Sequence, residues 1–266
     1  MDWLSHHSIA LYSIYLLGKS DEFRPLFWAS VVGAFVGAAA AFALEWWRRA
    51  REQKRNDIAA ANIALLTLNS MWWALANYEG QVVRPRISDA NKAVPLWLRI
   101  VPSAVSSPDL KFDIAALVFL LRPKKSELLP RLILQEQRYR DFVVGIELRD
   151  GAISRARDRM EADKIGKDRY ATDPELVASI GDRGVGELRT LTVGMIRALY
   201  IYLGDMAALY EELGIGLQKQ LGKRNIRAFD LPHAKLVEGL KPSPEDWVNA
   251  AIAECNSRPR PESNAA

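Results

Sequence analysis

Few residues in this chain could do chemistry, and their spacing can be taken case by case. Arg227 precedes His233 by six positions. An arginine can hold a phosphate through two parallel hydrogen bonds, and a histidine can move a proton near neutral pH, so the pair would suit phosphodiester cleavage. Cys255 is the single cysteine, and with His233 it makes a formal thiol–imidazole pair. There is no C-x-x-C and no H-E-x-x-H, so no metal and no cofactor is expected. His6 and His7 are adjacent, and adjacent side chains on a helix diverge, so they read as solvated. Gly216 to Lys223 places five residues between the glycines where a phosphate loop needs four, and Arg224 stands where Ser or Thr should follow. The run Gly181-Asp182-Arg183-Gly184-Val185-Gly186 follows no strand and reads as a break between helices.

In an all-helical chain, Arg227 and His233 resemble the spaced Arg–His motif of HEPN ribonucleases. The resemblance covers residues 227–233 and implies Arg227 as the phosphate-holding group and His233 as the acid–base. The chain departs from that pattern at Ala228 and Phe229, where a polar residue typically follows the arginine, and at Pro232, which disrupts a helix. A membrane-tethered ribonuclease is therefore the alternative reading, and no catalytic residue is assigned in the leading one.

The remaining charges point to surfaces. Arg48, Arg49, Arg51, Lys54 and Arg55 cluster against a single acid, Glu52. Beside a bilayer they would meet anionic headgroups, worth about 1 kcal/mol each at most. Nucleic acid is not expected there, because the patch lies against the membrane. Arg155, Arg157, Arg159, Lys164 and Lys167 form a second basic stretch, interleaved with Asp158, Glu161, Asp163 and Asp168. It reads as a solvated helix end.

These groups need a scaffold, and its first part is apolar. Residues 26–44, LFWASVVGAFVGAAAAFAL, are nineteen without a charge. As a helix they would span about 28 Å, close to the hydrocarbon thickness of about 30 Å. Trp28 at one end, and Trp46 and Trp47 past the other, suit the headgroup level. Cationic residues stay in the cytoplasm, so the patch at 48–55 places the N-terminus outside and the C-terminal part inside, a single pass in the cell inner membrane. Ala29, Gly33, Gly37 and Ala41 recur every fourth position, and small side chains on one face let helices pack closely in lipid, so a homo-oligomer is expected. Residues 1–25 are expected to lie in the outer interface, with Trp3, Tyr12 and Tyr15 at headgroup depth.

The rest reads as an antiparallel helical bundle. No proline stands between Pro25 and Pro85, so one helix could run through, with Pro85 at its end. Ile58, Ala61, Leu65, Leu68, Trp72, Leu75 and Val82 keep heptad spacing, apart from Glu79. Ile63, Leu66 and Trp73 are expected to widen that apolar face. Pro85, Pro95, Pro102 and Pro108 predict an irregular crossover, and Ser107-Pro108-Asp109 a helix start. A helix over 126–162 buries Leu132, Tyr139, Ile146, Ile153 and Met160, spaced by seven. Another begins at Asp173-Pro174-Glu175 and carries the stripe Leu188, Met195, Leu199, Tyr202, Met206, Tyr210 and Leu213. Short helices are expected from Asp230-Leu231-Pro232 and Ser243-Pro244-Glu245.

The fold class is thus all-α. The expected parts are an interfacial segment (1–25), a transmembrane helix (26–47), a basic stalk with the first bundle helix (48–84), a cytoplasmic bundle (85–256) and a tail (257–266). One cysteine rules out a disulfide-stapled fold, and 49% hydrophobic with 26% charged residues rules out a disordered chain. The layout resembles small bacterial single-pass membrane effectors of anti-phage defence systems, by architecture and not by motif. That resemblance implies a membrane effector or adaptor that assembles, with a pore as one form of the assembly, and with a cytoplasmic protein partner. A structural anchor for a partner is the plainest version of the same reading.

Overall fold

The computed structural model describes residues 23–87, 94–102, 108–121, 126–165 and 173–226. Every regular element among the described residues is helical. The first, α1, runs from Phe23 to Tyr78, 56 residues. Pro25 fits its opening turn, where a missing N–H costs nothing. A π-helical turn, Glu79–Val83, comes next, and α2 occupies Arg84–Ile87.

The expected stop at Pro85 is therefore a widened turn and not an end. Proline cannot donate to the carbonyl four residues back, and its ring crowds that carbonyl. Directly ahead of Pro85 the Arg84 N–H reaches five residues back, to the Glu79 carbonyl. The helical path opens by one residue and continues to Ile87.

The chain divides into two compact units, Met1–Asn56 and Asp57–Ala266. In the first, the described side chains of α1 are exposed except Val31 and Glu45, which are half-buried.

The second unit holds the core. Beyond α2 come α3 (Leu96–Arg99), a 3-10 turn (Val118–Leu121), α4 (Leu128–Ala162) and α5 (Asp173–Leu221). The main hydrophobic cluster joins Leu65, Leu68, Trp72 and Leu75 of α1 to Leu132, Tyr139 and Phe142 of α4 and to Leu199, Met206 and Leu213 of α5. Arg131 pairs with Glu212, and Arg138 Nη1 with Asp205 Oδ2 at 2.6 Å. As the number rises on α4 it falls on α5, so these two helices run antiparallel. A smaller cluster packs Trp97 and Ile153 against Leu176, Ile180 and Leu188.

Two further expectations change. Residues 108–113 form no helix, and Ser107 lies outside the described residues. Their backbone groups are satisfied by α4 instead: the Tyr139 hydroxyl donates to the Pro108 carbonyl (3.2 Å), and the Phe112 N–H donates to Glu136 Oε2 (2.8 Å). Such side-chain partners compete directly with helix hydrogen bonding. The break expected near Gly181 is a sharp kink inside α5, with φ +77° and ψ +156° at Gly181. Glycine alone takes that conformation without steric cost.

Candidate functional site

Over 27–44, α1 presents an apolar surface. Phe35 and Phe42 are 74% and 78% exposed, and Trp28, Trp46 and Trp47 are exposed as well. Mean hydropathy reaches 1.9 over an 18-residue window of this helix, none of it buried. α5 is also long and apolar enough to cross a membrane, at 1.2, with 39% of its window buried. The small residues Ala29, Gly33, Gly37 and Ala41 are exposed. A Cβ added at Gly33 or Gly37 would meet nothing within 4 Å. Next along the helix, Arg49 Nε donates to Glu45 Oε1 (2.8 Å), Arg48 lies 4.0 Å from Glu45 Oε2, and the Arg51 guanidinium sits 5.2 Å from the Trp47 ring centre. Lys54 and Arg55 are exposed.

Of the residues expected in the core, Leu65, Trp72, Leu132, Tyr139, Ile146 and Ile153 are buried, and Ile58 is half-buried against the same cluster. Ile63, Leu66 and Trp73 do not widen that face. They are exposed, because they lie on the opposite side of α1.

Among the described residues of the second unit two charged side chains, Glu79 and Arg149, are buried. Glu79 opens the π turn and takes a two-pronged pair from Arg84, with Nε to Oε1 at 2.9 Å and Nη2 to Oε2 at 2.6 Å. The Tyr200 hydroxyl on α5 donates to the same Oε1 at 3.1 Å. Burial, then the Glu79 carboxylate, push the Tyr200 phenol above its usual range. The i,i+5 spacing of Glu79 and Arg84 suits the wide turn. Glu79 is where the α1 seam turns polar, and that break was the signal available in the sequence.

Arg149 on α4 is fully buried. Its Nε donates to Thr192 Oγ1 (3.2 Å), its Nη1 to Asp150 Oδ1 (2.7 Å), and its Nη2 to the carbonyls of Trp97 (3.3 Å) and Ile100. Burial pulls its pKa down, and Tyr78 and Asp150 oppose the shift. One guanidinium thus ties the segment around α3 to α4 and α5. Its sequence signal is position alone: it falls three residues after Ile146 and four before Ile153, on the buried side.

Among the described residues, two hollows are lined in part by glycines. Arg155 and Arg159 meet Gly184 and Glu187 around a cavity of about 100 Å³, so part of the second basic stretch and the glycine-rich run come together. Phe142, Gly145, Gly194 and Met195 line a more apolar groove of about 230 Å³ between α4 and α5. Residues 216–221 are the last turns of α5 and form no phosphate loop. Among the described residues no three His, Cys, Asp or Glu side chains are grouped to hold a metal. His6, His7, Arg227, His233, Cys255 and Lys167 lie outside the described residues, as do 1–22 and the two terminal helix starts. No family model matches the chain, and no curated protein or solved structure matches it.

Proposed function

We propose that the chain is a single-pass inner-membrane protein that acts as an effector or adaptor by assembling, with its C-terminal helices as a cytoplasmic bundle that meets a protein partner. The carrying observation is the exposed, charge-free face of α1 over 27–44, a surface that water disfavours and lipid accepts. Tryptophans at both of its ends suit a spanning segment, and the cations from Arg48 to Arg55 support N-out orientation. α5 passes the same length and hydropathy test, and we assign it to the bundle because its stripe packs against α1 and α4. Close helix contact through Ala29, Gly33, Gly37 and Ala41 is the route to the oligomer.

The test is the mass of the detergent-solubilised full chain. A discrete oligomer is expected, and Gly33→Leu with Gly37→Leu should disperse it. At either position an added Cβ meets nothing within 4 Å in its own chain. An unchanged oligomer removes this face from the assembly. Dye release from cells forced to express the chain separates a pore from a sealed anchor.

A further inference from the structure

Between Asp57 and Tyr78, α1 carries two seams and not one. Ala61, Leu65, Leu68, Trp72 and Leu75 alternate by four and three and are all buried. Ala59, Ile63, Leu66, Ser70, Trp73 and Asn77 alternate in the same way. At 3.6 residues per turn, Leu65 lies about 200° around the helix from Ile63. The second seam is open: Ile63, Leu66 and Trp73 are 60%, 52% and 40% exposed. A helix that is apolar on opposite sides belongs in the middle of a helical stack, with cover on both.

We propose that the second seam is the docking site of this chain's own C-terminal segment, residues 227–256. The place where the described chain ends carries the assignment. After α5 the backbone turns at Gly222, with φ +101°, and Ile226 is buried in the main core. The Asn62 Nδ2 donates to the Asn225 carbonyl at 3.0 Å. The described chain therefore ends next to the neighbour of Ile63, at one end of the open seam.

The composition of residues 227–256 fits that surface. Leu231, Leu236, Val237 and Leu240 come first, then Trp247, Val248 and Ile252; Leu236 and Leu240, Val237 and Leu240, and Val248 and Ile252 stand three or four apart. From Ile63 to Trp73 the seam is about 15 Å long, so about ten residues of helix cover it. A second copy of the chain could offer the same apolar residues. A segment whose first named apolar residue, Leu231, follows five positions after Ile226 has an effective concentration of about millimolar, which a separate copy does not reach.

The test places one thiol on the seam. In the full chain, in lipid nanodiscs, Cys255→Ser removes the native thiol and Leu66→Cys adds one at an exposed position. Maleimide labelling of that thiol should be about tenfold slower in the full chain than in the same protein ending at Ala228, since the tethered segment holds the site mostly closed. Leu236→Asp with Leu240→Asp, in the full chain, should restore fast labelling and does not depend on truncation. Fast labelling in all three proteins overturns the proposal. Slow labelling that survives both the truncation and the double substitution also overturns it, and assigns the seam to a second copy.

Discussion

The two charge-free stretches of α1 make an instructive pair. Leu26 to Leu44 is nineteen residues without a charge, and Ile58 to Tyr78 is twenty-one. Absence of charge does not separate them. The first has Ser30 as its one polar residue, whereas the second has Asn62, Thr67, Asn69, Ser70 and Asn77. Asn62, Asn69 and Thr67 fall between two seams of the second stretch, and Ser70 and Asn77 lie on the open one, while the other packs into the core. The first has no polar side to turn outward, and none of its described side chains is fully buried. Three asparagines, which cost free energy to place in hydrocarbon without partners, thus mark the stretch built for protein contact.

Added charge separates the two stretches most sharply. Val36→Arg with Ala40→Arg puts two cations midway along the first stretch. At about 2.5–3.5 kcal/mol each in a bilayer centre, they should release the protein from membranes on alkaline extraction. Leu68→Arg buries a lone cation in the core, a loss of at least about 3–5 kcal/mol. It should abolish cooperative unfolding while leaving the protein in the membrane fraction. If the two phenotypes exchange, α1 is not divided into a lipid-facing and a protein-facing stretch at these positions.

Arg149 tests the second stretch's surroundings at smaller cost. Arg149→Ala leaves the Trp97 and Ile100 carbonyls and Thr192 without their shared donor. The expected loss is about 3–5 kcal/mol in denaturant midpoint analysis. Arg149→Met keeps much of the volume and should recover part of it. Equal stability of wild type and Arg149→Ala would mean that this guanidinium ties nothing together.

Periodicity made the long helices legible: the starts near 126 and 173 and the seven-residue spacing from Leu132 to Ile153 are all visible in the sequence. Three features were not. Pro85 reads as a stop, because a π turn that absorbs it depends on the tertiary contacts of Glu79. Ser107-Pro108-Asp109 reads as a cap, because nothing local shows that Glu136 and Tyr139 compete for that backbone. The ties of Arg149 are not legible, because its acceptors other than the adjacent Asp150 lie 43 to 52 positions away. Hydrophobic period reports which face is buried. It does not report which polar groups the burial satisfies.

The Glu79 cluster lies at the end of the second stretch, and Glu79→Gln probes it more gently. The amide keeps one acceptor and loses the charge that Arg84 pairs with, so about 1.5–3 kcal/mol should be lost. Thermal unfolding of the full chain measures it. A change within error would show that the half-exposed Arg84 takes its stabilisation from water instead.

Tyr200 gives the smallest effect and the sharpest signature. Its folded pKa is raised above the ordinary value of 10.0, first by burial and then by Glu79. Below pH 10 both folded and unfolded chains keep the phenol proton, and this group adds no pH dependence. Above it the unfolded chain loses the proton first, so it binds fewer protons and stability falls as pH rises. One proton limits the slope to about 1.4 kcal/mol per pH unit, and partial exposure of Tyr200 should keep it below that. Lysines and other tyrosines titrate in the same range, so the informative quantity is the difference between wild type and Tyr200→Phe. That difference should be constant up to about pH 9 and shrink above pH 10. A difference that stays constant to pH 11 would place the Tyr200 hydroxyl in water and detach α5 from the polar end of the second stretch.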